Sequence, residues 1–167
     1  MSKIYRNERE IIFEGVDVLS GTFRNFGGEV RQFNDDGKRN FSVLVEPKYI
    51  PFLEKEGVYI KDFTEKKGGG KKKTFVKIFI NYDSIVKPEI YVRRGKKEDF
   101  VMLSPDKVGM LNKANFDNVE LVVDPYKRDN TPVLLYLSRG FFTMHVDPIS
   151  AKYKHIDDIE LDDELFS

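Results

Sequence analysis

The segment Gly68-Gly69-Gly70-Lys71-Lys72-Lys73-Thr74-Phe75-Val76-Lys77-Ile78-Phe79-Ile80-Asn81-Tyr82 begins as a loop and ends as a strand. Three glycines leave the backbone almost unrestrained. Three adjacent lysines then place like charges side by side, which a packed core does not accept. From Thr74 the residues alternate, and successive strand side chains point to opposite faces. One face carries Phe75, Lys77, Phe79 and Asn81; the other carries Val76, Ile78, Ile80 and Tyr82. The aliphatic face reads as core. The mixed face sets rings and a cation in one row beside a basic loop. That row suits a half-buried strand with solvated lysines. It equally suits single-stranded nucleic acid, whose bases stack on rings and whose phosphates meet cations.

The same alternation recurs outward along the chain. Upstream, residues 16–26 read as a long strand bent at Gly21, with Thr22, Arg24 and Phe26 on one face. Asn34-Asp35-Asp36-Gly37 is a turn signal, and residues 39–45 form the next strand, with Phe41, Val43 and Val45 inward. Arg31, Phe33, Lys38 and Arg39 flank that turn. Pro51 and Gly57 bound a short helix. Tyr59, Lys61 and Phe63 alternate on the following strand. Downstream, Tyr91, Arg93 and Arg94 lie on a short strand. Ser104-Pro105 predicts a second short helix, with Ser104 as its N-cap. Residues 119–123 and 133–146 are the remaining long strands, the last bent at Gly140. About seven strands and two short helices, with frequent turns, predict an antiparallel barrel or sandwich. Residues 1–10 read as a flexible arm, 11–154 as one domain, and 155–167 as a tail.

The chain has 167 residues and formal net charge zero, yet its charge is unevenly placed. Asp157, Asp158, Glu160, Asp162, Asp163 and Glu164 crowd the tail without a Lys or Arg; the body keeps 28 bases against 22 acids. A basic body with an acidic, disordered tail is the expectation. Without cysteine there is no disulfide, thiolate nucleophile or cysteine metal site. No signal-peptide core or membrane-length apolar run is read, so cytoplasm is expected.

Enzyme signatures are weak. His145 and His155 lack metal-ligand spacing, and the acidic tail lacks calcium-loop spacing. Gly68 to Lys72 departs from phosphate-loop spacing and precedes a strand. The expectation is a non-enzyme without metal or cofactor. Neither short helix is basic, as a duplex-reading helix would be.

Asp162-Asp163-Glu164-Leu165-Phe166-Ser167 resembles the acidic C-terminal tip of single-stranded DNA-binding proteins, departing from it in Ser167 and in lacking proline. The stretches 19–26, 37–44, 136–142 and 151–153 resemble phage single-stranded DNA-binding proteins of the OB-fold type. The resemblance spans roughly residues 16–153. It implies an OB-like barrel coating single strands in phage DNA replication or recombination, with Arg24, Phe26, Lys38, Arg39 and Phe41 carried over as contacts. Joined to the alternating rows, the expected DNA-binding set also includes Arg31, Phe33, Tyr59, Lys61, Lys71, Lys72, Lys73, Phe75, Lys77, Phe79, Tyr91, Arg93, Arg94 and Arg139. Asp162, Asp163, Glu164, Leu165 and Phe166 are the expected contacts to replication or recombination proteins. A protein-binding or structural β-barrel is the competing reading.

Overall fold

A computed structural model describes residues 2–30, 37–65 and 69–146. Its strands are β1 (Lys3–Asn7), β2 (Glu10–Glu14), β3 (Arg24–Asn25), β4 (Arg39–Leu44), β5 (Lys61–Thr64), β6 (Lys72–Ile80), β7 (Glu89–Arg94), β8 (Val101–Leu103), β9 (Phe116–Tyr126) and β10 (Leu134–Met144). The one α-helix among the described residues is α1 (Ile50–Lys55). All ten strands belong to one sheet with the path β1-β2-β9-β10-β6-β4-β3; β5 pairs with β6, β7 with β10, and β8 with β7.

The path is open, and it is not purely antiparallel. β10 runs parallel to β6 at Leu135↔Ile78 and Tyr136↔Phe79, and parallel to β7 from Arg139↔Glu89 to Met144↔Arg94. β6 and β7 therefore lie end to end along one edge of β10, with residues 81–88 looping out between them. The long return through β8 and β9 supplies the crossover that parallel pairing needs. The expected antiparallel barrel is thus corrected to an open mixed sheet. One segment still reaches both ends of it. β2 pairs with β9, the Val16 amide donates to Val119 O, and Val18 bridges Val43 beside β4.

The core lies where the alternation places it. Val76, Ile78 and Ile80 are buried, opposite Val43, Phe41 and Arg39 of β4. Phe26 stacks on Phe41 at 4.8 Å, and Phe142 meets both rings edge-on at 5.9 and 6.0 Å. Each fully buried phenylalanine contributes about 1.5–3 kcal/mol through apolar burial.

Several local expectations need correction. Residues 3–7 are a strand, not an arm: β1 pairs with β2 throughout, and Ile4 is buried in the core. The strand over 16–26 is broken by a 3-10 turn at Gly21–Phe23, because Gly21 takes a left-handed φ of 67°. α1 ends before Gly57, as expected, at φ 83°. Ser104 caps no helix. Its hydroxyl pairs with Asp106, and the helical turn is a 3-10 segment starting at Val108. Gly109 sits there because a β-carbon would come within 3.2 Å of Gly27 Cα.

Candidate nucleic-acid interface

Opposite the aliphatic core, β6, β10 and β7 share an outer face lined with rings. Asn40, Phe79, Tyr136 and Asp124 lie in register across β4, β6, β10 and β9. Phe79 and Tyr136 are 5.8 Å apart, and Tyr126 stands edge-on to Tyr136 at 6.2 Å. Further along β10, Phe141 stacks on Tyr91 at 5.1 Å with 7° between planes, while Phe100 meets Phe141 at 5.4 Å. The exposed Met102 lies in register beside Tyr91. The two ring groups are about 15 Å apart along the strand, and the exposed Arg139 lies between them.

A bulge makes this face continuous. The β10 register against β9 shifts between Leu137 and Arg139. The extra residue, Ser138, changes the phase of alternation. Tyr136, Arg139 and Phe141 consequently point the same way, although their spacing is not even.

Cations frame the rings. The guanidinium of Arg93 lies 4.4 Å from the Phe100 centroid, and its Nε donates to Thr143 Oγ1 at 2.9 Å. Lys77 is half-buried on the outer side of β6. Burial, then the nearby Lys61 ammonium, lower its pKa below the ordinary lysine value. Among the described residues Lys77 makes no ion pair. Lys61 Nζ lies 6.0 Å from the Tyr59 ring, which is itself exposed. A phosphate arriving here meets two ammoniums without displacing a carboxylate, and its charge offsets their repulsion. On the opposite flank, Glu14 and Glu120 raise the Tyr5 pKa, after the larger effect of burial. This flank carries Glu14 and Glu120 beside Lys3, whereas the β5, β6 and β7 side carries Lys61, Lys77 and Arg93 together with Glu89.

The predicted contact residues divide on this surface. Tyr59, Lys61, Lys77, Phe79, Tyr91, Arg93 and Arg139 come to the outer face or its rim. Lys71 is exposed, whereas Lys72 pairs with Asp62 at 3.1 Å and Lys73 with Glu65 at 2.8 Å. Arg94 pairs with Glu98 at 3.3 Å. Lys38 is exposed on the approach to β4. Arg31 and Phe33 lie outside the described residues, as do the tail residues Asp162, Asp163, Glu164, Leu165 and Phe166.

Four expected contacts are structural instead. Phe26 and Phe41 have no accessible surface and fill the core. Phe75 is buried beneath Phe23 and Phe63, at 5.1 and 5.7 Å. Arg24 is buried, its Nε donating to Leu19 O at 2.8 Å and its Nη1 to Leu111 O at 3.0 Å. It also donates to Ala114 O and lies 4.9 Å from the Phe116 ring. These bonds tie the segment before the Gly21–Phe23 turn to the end of the 3-10 segment at Val108–Lys113 and leave no room for a phosphate. Arg39 is partly committed in the same way, donating to Phe26 O and Pro105 O and covering Tyr82 at 5.0 Å.

Rings on a cationic sheet face match the surface that single-stranded nucleic acid requires. Over residues 1–165 the chain matches the family model described as "Putative phage ssDNA-binding domain". The chain belongs to this family. Its partner as a phage ssDNA-binding domain is single-stranded DNA. No curated protein and no solved structure matches it. On the outer face of this phage ssDNA-binding domain, Tyr126, Tyr136, Phe100, Met102 and Phe141 join the ring row without having been expected from the sequence. Tyr136 and Phe141 lie in a stretch that carries the resemblance, but only their spacing through the bulge shows that they share a face. Among the described residues no cluster of three or more His, Cys, Asp or Glu could hold a metal ion, and no helix is long and apolar enough to cross a membrane.

Proposed function

We propose that the domain coats single-stranded DNA during phage replication or recombination, non-catalytically and with little dependence on base sequence. The carrying observation is the outer face of β6, β10 and β7. Phe79, Tyr136, Tyr91 and Phe141 offer rings, with Lys61, Lys77, Arg93 and Arg139 around them. Each stacked base contributes about 1–3 kcal/mol, and every base has a face to stack. The segment that reaches from β9 to β4 supports an OB-like reading of an open sheet. The acidic tail competes with DNA for the cations and, once displaced, recruits replication or recombination proteins in the host cytoplasm.

Titration with poly-dT and with duplex DNA at two salt concentrations tests this function. Tight, salt-sensitive binding to poly-dT is expected. No binding to either would remove the proposal, and a preference for duplex would require another groove. Deleting residues 156–167 raises affinity at low salt if the tail competes; unchanged affinity counts against that role. A protein-binding domain is the second reading, favoured by Ile85 and Val86, which stand almost wholly in solvent on an ordered loop.

A further inference from the structure

The loop over residues 81–87 leaves the β6–β7 line and is tied to its own base. The Asp83 amide donates to Asn81 Oδ1 at 3.0 Å, the Ser84 hydroxyl to Asn81 O at 3.2 Å, and Lys87 Nζ to Tyr82 O at 2.7 Å. Between this loop and the start of β10 lies a cavity of about 500 Å³. Small-ligand pockets occupy roughly 300–1,000 Å³. Its lining includes Ser84, Lys87, Asp124, Tyr126, Tyr136 and Ser138. Tyr136 belongs to the outer ring face, so the cavity opens onto the path of the strand. Asp124 is directly opposite Tyr136 in the ladder, exposed, and without an ion pair among the described residues.

We propose that this cavity takes one unstacked nucleobase bearing an exocyclic amino group, such as cytosine or adenine. The inference rests on the single-stranded DNA reading and adds a base preference at one point of the path. Tyr136 and Tyr126 supply apolar walls for the base. The Asp124 carboxylate accepts a hydrogen bond from the amine, as carboxylates do from cytosine N4. Thymine fits poorly, because its only ring N–H lies between two carbonyl oxygens that the carboxylate repels. Lys87 at the loop faces the neighbouring phosphate. The remainder of the ring face stacks any base, so the preference is superimposed on general binding.

Equal-length dC and dT oligonucleotides, titrated by fluorescence anisotropy at neutral pH, provide the test. The wild-type domain is expected to bind dC about fivefold tighter, the low end for one base-edge contact. Asp124→Asn keeps the shape and adds an N–H that meets thymine O4, so the ratio should fall to about one. An oligonucleotide of N4,N4-dimethyl-deoxycytidine lacks the amine hydrogens and should bind the wild-type domain as weakly as dT, a result independent of any variant's folding. Equal wild-type affinity for dC and dT overturns the pocket and leaves strand binding intact. A dC preference that survives Asp124→Asn or dimethylation also overturns it. Failure to bind any oligonucleotide overturns both the pocket and the reading beneath it.

Discussion

Tyr91 of β7 and Phe141 of β10 lie face to face on the outer surface of the sheet, 5.1 Å apart with ring planes nearly parallel at 7°. Their backbones are paired in a parallel ladder, so neighbouring strands hold the platform rigid. The Tyr91 hydroxyl donates to Glu89 at 2.7 Å, which keeps the phenol protonated and fixes the ring's edge. Replacing Tyr91 by Ala should weaken binding to single strands by about 1–3 kcal/mol, the contribution of one stacked base. Tyr91→Phe should retain most of it, since stacking needs the ring and not the hydroxyl. Anisotropy titrations of both variants check this, with circular dichroism confirming the fold.

Lys77 tests the electrostatic half of the face. Lys77→Met should lower affinity and reduce the slope of log K against log salt by about 0.7, the loss of one phosphate contact on a single strand. Salt titrations of wild type and variant measure that slope. An unchanged slope places the phosphate path elsewhere.

The same lysine makes a pH prediction for stability. Its folded pKa lies below the unfolded value because burial and Lys61 disfavour the charged form. The unfolded chain therefore binds more protons between the two values, and stability rises with pH there. Relative to Lys77→Met, the wild type is penalised at neutral pH, and the penalty fades as pH climbs toward the ordinary lysine value of 10.5. Urea unfolding of both proteins at neutral and alkaline pH should show the gap closing. Bound single-stranded DNA supplies an anion and should narrow it at neutral pH as well.

Phe41 distinguishes core from interface. It has no exposed surface and stacks on Phe26. Phe41→Ala should cost about 3–5 kcal/mol of stability through lost burial and a cavity. The folded fraction should still bind single strands, because the outer face lies across the sheet. Parallel unfolding and binding curves separate the two effects.

The Gly/Lys loop is expected to act more weakly than Lys77. Lys72 and Lys73 already face Asp62 and Glu65, though exposed pairs of this kind contribute only about 0–1 kcal/mol. Neutralising Lys71, Lys72 and Lys73 together should lower affinity and flatten the salt dependence without unfolding the sheet. Competition from the two carboxylates should make the loss per lysine smaller than for Lys77, measured in the same salt titration.

Much of the sheet was legible because strand alternation is a local property. Val76, Ile78 and Ile80 read as core from their spacing alone, and they are core. The family, too, was legible in short stretches, and the match over residues 1–165 shows it. Which rings face outward was not. Phe26, Phe41 and Phe75 resemble Phe79 in sequence, each two positions from a Lys or Arg. Their fates differ because Phe142 closes over the first two, while Phe23 and Phe63 close over the third. Arg24 likewise reads as a phosphate contact, but the fold brings the carbonyl oxygens of Leu111 and Ala114, distant in sequence, to its guanidinium.

The opening segment shows the same division. Its alternation determined a strand with one aliphatic face and one mixed face, since side-chain period two follows from backbone geometry. Only the tertiary structure decided that Phe75 is covered, that Lys77 is crowded by Lys61, and that Phe79 meets Tyr136. Those outcomes depend on β5, β10 and the Gly21–Phe23 turn, elements whose approach is set by long-range pairing and by a one-residue bulge at Ser138. A bulge changes which residues share a face without changing their hydrophobicity, so the ring platform exists only once the strands are paired.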